Sequence, residues 1–168
     1  HSKLNNIPIR FNKVSGDFKI NGNYITSLEG CPKWVGGEFN CSANELTSLL
    51  HSPEYVGGDF KCTYNDITSL KDCPKEIGGD FFCSYNKLNA LDGSTERVGG
   101  HFYCISNNIT TLKGFPMIIN QNLYLADNPL SIIDSSIEIK GDITLKGTNF
   151  DDMIKSLSQD KLRILFEH

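Results

Sequence analysis

The residues in this chain that could do chemistry are six cysteines, a histidine in a row of acids, and a few hydroxyls; the cysteines are the most regularly placed. Cys41, Cys62, Cys83 and Cys104 recur every 21 residues, and Cys31 and Cys73 lie 42 apart, with Ser52 and Ser94 in the matching slots. An even cysteine count in a short secreted chain would suggest disulfides. Zinc would want close pairs such as Cys-x-x-Cys, and there are none. Thiols copied at a fixed period read instead as small, buried, reduced side chains, which predicts a reducing, cytoplasmic setting. His101 falls beside Asp80 in a row of acids. Nucleophilic catalysis would need a partner within hydrogen-bond reach. Cys83 and Cys104 are expected to point inward, and Ser84 is a lone hydroxyl. The nonapeptide calcium repeat is absent. The expectation is therefore no enzyme, no metal and no cofactor.

These residues are placed by a repeat. Aligned on glycine, the units begin at Gly16, Gly37, Gly58, Gly79, Gly100, Gln121 and Gly141, a period of 21 residues that shortens to 20 at the last step. Self-similarity at this spacing predicts a solenoid, in which each unit buries its apolar side only by stacking on its neighbours. One column reads Phe18, Phe39, Phe60, Phe81, Phe102, Leu123, Ile143, and two places on stand Ile20, the four cysteines, Leu125 and Leu145. That alternation predicts a short strand with both columns inward. An asparagine column follows (Asn23, Asn44, Asn65, Asn86, Asn107, Asn128), then two of Ile or Leu, then Val14, Val35, Val56, Ile77, Val98, Ile119 and Ile139 before the next glycines.

The pattern F-x-C-x-x-N-x-L-x-x-L over residues 14–150 resembles the leucine-rich repeat. The short period, with Pro32, Pro53, Pro74 and Pro116 in the return arc, is similar to bacterial-type repeats, secreted effectors included; the G-G-x-F-x-C-S-x-N-x-L wording resembles uncharacterised repeat proteins of phages and other microbes. The resemblance implies a solenoid that binds a partner on its sheet face. Gly36, Gly57, Gly78 and Gly99 replace the first leucine of that motif. A Gly-Gly pair permits angles closed to other residues, so a tight bend is expected there. The return arc is too short for a normal helix. The predicted fold is one solenoid domain over 1–168, mostly β, with one curved parallel sheet. Residues 1–15 form a partial first turn in which Ile7, Ile9 and Val14 cover the Phe column; seven repeats fill 16–150. Residues 151–168 form a capping helix, since Met153, Ile154, Leu157, Leu162 and Leu165 fall near one helical face.

Composition narrows the partners. With 168 residues, 39% of them hydrophobic, one ordinary core is affordable. A net charge of −4 speaks against a duplex nucleic-acid binder, and no apolar run approaches a membrane span.

Within each strand the remaining columns face outward. Asp17, Glu38, Asp59, Asp80, His101, Asn122 and Asp142 form one; Lys19, Asn40, Lys61, Phe82, Tyr103, Tyr124 and Thr144 form the next. Like charges about 5 Å apart repel by about 0.8 kcal/mol in water and about 3 kcal/mol at an effective dielectric near 20. Either the carboxylates splay into solvent or Lys19 and Lys61, a basic partner or a cation compensates. Phe82, Tyr103 and Tyr124 put aromatics on consecutive rungs, with Tyr64 and Tyr85 nearby. Such patches mark interaction sites, although cross-strand packing alone could also place them. The expectation is a non-catalytic protein-binding face at Tyr64, Phe82, Tyr85, Tyr103 and Tyr124, rimmed by Asp59, Asp80 and His101. A phage or microbial effector inhibiting a host protein, acting in the host cytoplasm if viral, fits the resemblance. The alternative is a small-ligand binder, such as one holding a nucleotide on the aromatics with Lys61, Lys87 or Lys146 at the phosphate; a structural or assembly role is the third.

Overall fold

The computed structural model describes residues 3–114, 116, 118–131, 138–146 and 164–165. The chain winds as a β-solenoid of two-residue strands, all pairing in parallel. One sheet stacks β1 (Lys13–Val14), β3 (Trp34–Val35), β5 (Tyr55–Val56), β7 (Glu76–Ile77), β9 (Arg97–Val98), β11 (Ile118–Ile119) and β13 (Glu138–Ile139). The other stacks β2 (Phe18–Lys19), β4 (Phe39–Asn40), β6 (Phe60–Lys61), β8 (Phe81–Phe82), β10 (Phe102–Tyr103), β12 (Leu123–Tyr124), β14 (Ile143–Thr144) and β15 (Ile164–Leu165). Pairing follows the repeat, as in Phe39 against Phe60 and Phe60 against Phe81. The sequence predicts one sheet. The second forms because the Val column is also extended just before the Gly-Gly bend. No helix occurs among the described residues.

Both ends differ from expectation. Residues 151–163 and 166–168 of the predicted capping helix lie outside the described residues. The two that are described, Ile164 and Leu165, are extended and pair with Ile143 and Thr144. At the start, Ile7 and Val14 pack against the core, but Ile9 is 63% exposed. Phe11 does the covering, its ring edge-on to Phe18 at 5.1 Å.

The core columns are dry. Phe39, Phe60, Phe81 and Phe102, and Cys41, Cys62, Cys83 and Cys104, are fully buried. All six thiols are free. Burial pushes Cys31 and Cys73 up to about 12 and raises Cys41, Cys62 and Cys83 as well, so these sulfurs are not nucleophiles.

The Gly-Gly pairs are explained by space rather than by unusual angles, for none lies in the left-handed region. A Cβ on Gly78 would collide with the carbonyl oxygen of Gly57, and one on Gly57 or Gly99 would meet the equivalent oxygen one rung below. Ser15 holds the same column in the first rung, next to β1 at the edge of the described sheet. Where the pair is lost the bend opens. The N–H groups of Gly57, Gly78 and Gly99 donate to the preceding rung at 2.8–2.9 Å, whereas Asn120 reaches Val98 at 3.1 Å and Lys140 reaches Ile119 at 3.3 Å. Gly78→Ala is therefore expected to destabilise by about 1–3 kcal/mol. Gly16→Ala, whose Cβ meets nothing within 4 Å, should stay within about 0.5 kcal/mol of the parent. Urea midpoints decide this; equal shifts for both would remove close rung contact as the reason.

Candidate protein-binding face

The face is built on the second sheet and the corner that follows it. Phe and Cys point inward, so the residue between them points out. Phe82, Tyr103 and Tyr124 form one stack, with ring centroids 4.6 and 4.5 Å apart and planes within 3°. The ring spacing matches the strand spacing of about 4.8 Å, so identical rotamers on consecutive rungs stack without distortion. Lys61, one rung earlier, lays its ammonium 5.2 Å from the Phe82 centroid.

Tyr64 and Tyr85 form a second stack, 4.5 Å apart, and are 58% and 45% exposed. They stand in a column of left-handed residues, with φ near 54–56° at Ala43, Tyr64, Tyr85 and Asp127. The first rung uses Gly22 there. Each non-glycine residue in that conformation costs about 1–2 kcal/mol, and the asparagine that follows holds the corner. Asn65 Nδ2 donates to the carbonyls of Cys41 and Cys62, while its Oδ1 accepts from Leu46 N–H. The sequence shows the columns here but not the backbone conformation that lifts both tyrosines into solvent.

The acidic column does not splay. Asp17 Oδ1 accepts from Glu38 N–H at 2.9 Å, Asp59 Oδ1 from Asp80 N–H at 3.0 Å and Asp80 Oδ1 from His101 N–H at 2.7 Å. His101 Nδ1 then accepts from Asn122 N–H at 3.2 Å, and Asn122 Oδ1 from Asp142 N–H at 3.1 Å. Asp17, Asp59 and Asp80 each reach across the second glycine of the next pair, where a Cβ on Gly37, Gly79 or Gly100 would strike the carboxylate, whereas His101 reaches across Gln121. His101 thus serves the ladder as an acceptor and also leans on Tyr103 and Tyr124, with centroids 5.8 Å away.

Of the alternatives, compensation by Lys19 and Lys61 is the one seen, and among the described residues it covers the lower rungs alone. Lys19 pairs Asp17 at 3.0 Å and Glu38 at 3.5 Å; Lys61 pairs Glu38 and Asp59, each at 3.2 Å. Burial pulls the Lys61 ammonium down, but the two carboxylates outweigh it and its pKa is raised. The backbone N–H of Glu38, with Lys19, holds Asp17 below the usual carboxylate range. Burial, with Tyr124 and Asp80 beside it, raises the Tyr103 phenol, so it stays a neutral hydroxyl. Asn122 Nδ2 donates to the Tyr124 hydroxyl oxygen at 3.2 Å.

The predicted site residues therefore fall into two tyrosine-bearing stacks and a capping ladder. In the stack of Phe82, Tyr103 and Tyr124 the facing ring surfaces cover one another and Lys61 lies over the outer side of Phe82. A nucleobase needs a free ring face, and between the stacked rings there is none. Two of the three candidate phosphate cations are also occupied, Lys61 by its acids and Lys87 by Asp66 at 2.7 Å. A second aromatic pair, Trp34 on Tyr55 at 5.5 Å with Lys13 over Trp34 at 4.1 Å, lies on the other sheet. No family model, curated protein or solved structure matches the chain.

Proposed function

We propose that this chain is a non-catalytic protein-binding module that uses the outward face around Phe82, Tyr85, Tyr103 and Tyr124. The observation that carries this reading is a break in the outward repeat. The inward Phe and Cys columns continue unchanged through Phe81, Cys83, Phe102 and Cys104, and become Leu123 and Leu125 only on the next rung, while the outward Lys19, Asn40 and Lys61 have already given way to Phe82 and Tyr103, with Tyr124 following. Stacking alone did not require the switch, since lysine and asparagine serve the earlier rungs of the same sheet. A few aromatic anchors carry most of the energy of a protein interface, and a solenoid face is rigid before binding, which lowers the ordering cost. The resemblance of the repeat to microbial and phage proteins favours a host protein as the partner, and inhibition of that protein as the outcome.

The test is a Tyr103→Ala/Tyr124→Ala variant. It should remain folded, because both rings stand outside the core, yet lose at least about tenfold in affinity for protein partners captured from the cells where the chain acts. Raised salt should mainly slow association. Unchanged capture by this variant would move the site elsewhere, with the Trp34–Tyr55 pair first to be examined.

A further inference from the structure

Taking that face as the binding surface, we infer that its partner is a protein segment that presents a lysine or arginine to Asp80. The lower acids of the column are matched from within the chain: Asp17 and Glu38 by Lys19, Glu38 and Asp59 by Lys61. One rung on, the lysine position is Phe82, and among the described residues no lysine or arginine pairs with Asp80. Its Oδ1 already accepts from His101 N–H at 2.7 Å; Oδ2 is the remaining acceptor. Asp80 is half-buried and stands two residues before Phe82, on the same side of the strand, and Phe82 pairs with Tyr103 in the sheet register. A partner that covers those ring edges also takes Asp80 out of water. A carboxylate dried without a counter-charge is strongly unfavourable, so a partner that binds well here supplies the cation that the chain omits. Lys61 shows the arrangement in miniature: an ammonium against Asp59 at 3.2 Å that also lies over Phe82 at 5.2 Å. Asp142 also lacks a basic partner among the described residues, but it stands beside Thr144, beyond the aromatics.

The probe is a random heptapeptide display library selected on the immobilised full chain, followed by synthetic peptides in titration. Asp80→Asn is the informative variant, because an amide oxygen can keep the cap to His101 N–H as Asn122 does for Asp142 in the same column. The expected result is an enriched pool rich in Lys or Arg, bound at least about tenfold more weakly by Asp80→Asn and lost in Tyr103→Ala/Tyr124→Ala. A pool that needs the tyrosines but shows no excess of basic residues, or that binds Asp80→Asn as tightly as the parent, overturns this inference and leaves the face reading standing. Peptides indifferent to the tyrosines overturn both, and so does a selection that enriches nothing.

Discussion

Replacing Phe60 by alanine is expected to destabilise the protein by about 3–5 kcal/mol, the range for deleting a buried aromatic ring that its neighbours cannot replace. Phe60 is fully buried. It stacks on Phe39 at 5.3 Å and meets Phe81 edge-on at 5.4 Å. The strands on either side are fixed by backbone hydrogen bonds, Phe39 N–H to the Asp59 carbonyl and Phe60 N–H to the Asp80 carbonyl, both at 2.9 Å. The cavity therefore cannot close by moving one rung toward another. Phe60→Leu keeps most of the volume and should cost under about 1.5 kcal/mol. Because each rung touches only its neighbours, the alanine variant should also weaken coupling between the two ends. Amide exchange would then quicken most in the rungs around Phe60, ahead of global unfolding. A loss below about 1 kcal/mol would mean that the Phe column does not carry the core.

The inward register was legible because Phe and Cys alternate two apart on every rung, and a one-residue slip would have exposed both columns. The second sheet was not, because it contributes a single inward residue per rung, and one position cannot display an alternation. The C-terminal segment misled for the opposite reason. Apolar residues spaced as Met153, Ile154, Leu157, Leu162 and Leu165 are satisfy a helical pattern, yet a short apolar run fits a strand as well, and Ile164–Leu165 pairs with β14. At the face, the aromatic column and its stacking could be read from the register. The role of the acids could not: Asp59 and Asp80 look like a repulsive row until their oxygens are seen capping the next rung's N–H across a glycine. Glycine at 79 and 100 and aspartate at 59 and 80 are one device split across two columns.

Asn65→Ala is expected to cost about 2–4 kcal/mol, and its four lost side-chain hydrogen bonds would share that cost evenly only if each were equally replaceable. They are not. The Cys62 carbonyl accepts from Asn65 and again from Asn86, and the Cys41 carbonyl accepts from Asn44 as well as Asn65. Either oxygen keeps one partner when Asn65 goes. Leu46 N–H is different: its side-chain acceptor is Asn65 Oδ1 at 3.1 Å, and Leu46 is fully buried. A buried donor left bare costs about 1–3 kcal/mol by itself. The left-handed turn at Tyr64, φ 54°, loses the amide that fastens it, so the Tyr64–Tyr85 stack should loosen too. The same substitution at the end of the ladder supplies the contrast. Asn23 Oδ1 accepts from Leu4 N–H at 2.9 Å, but Leu4 is 43% exposed and water can take over that bond. Asn23→Ala should therefore cost under about 1 kcal/mol. Chemical denaturation of the two variants side by side measures the difference. If they lose equally, the asparagine column contributes local turn preference rather than satisfaction of buried backbone, and the strain at Tyr64 must be held by the stacked rungs alone.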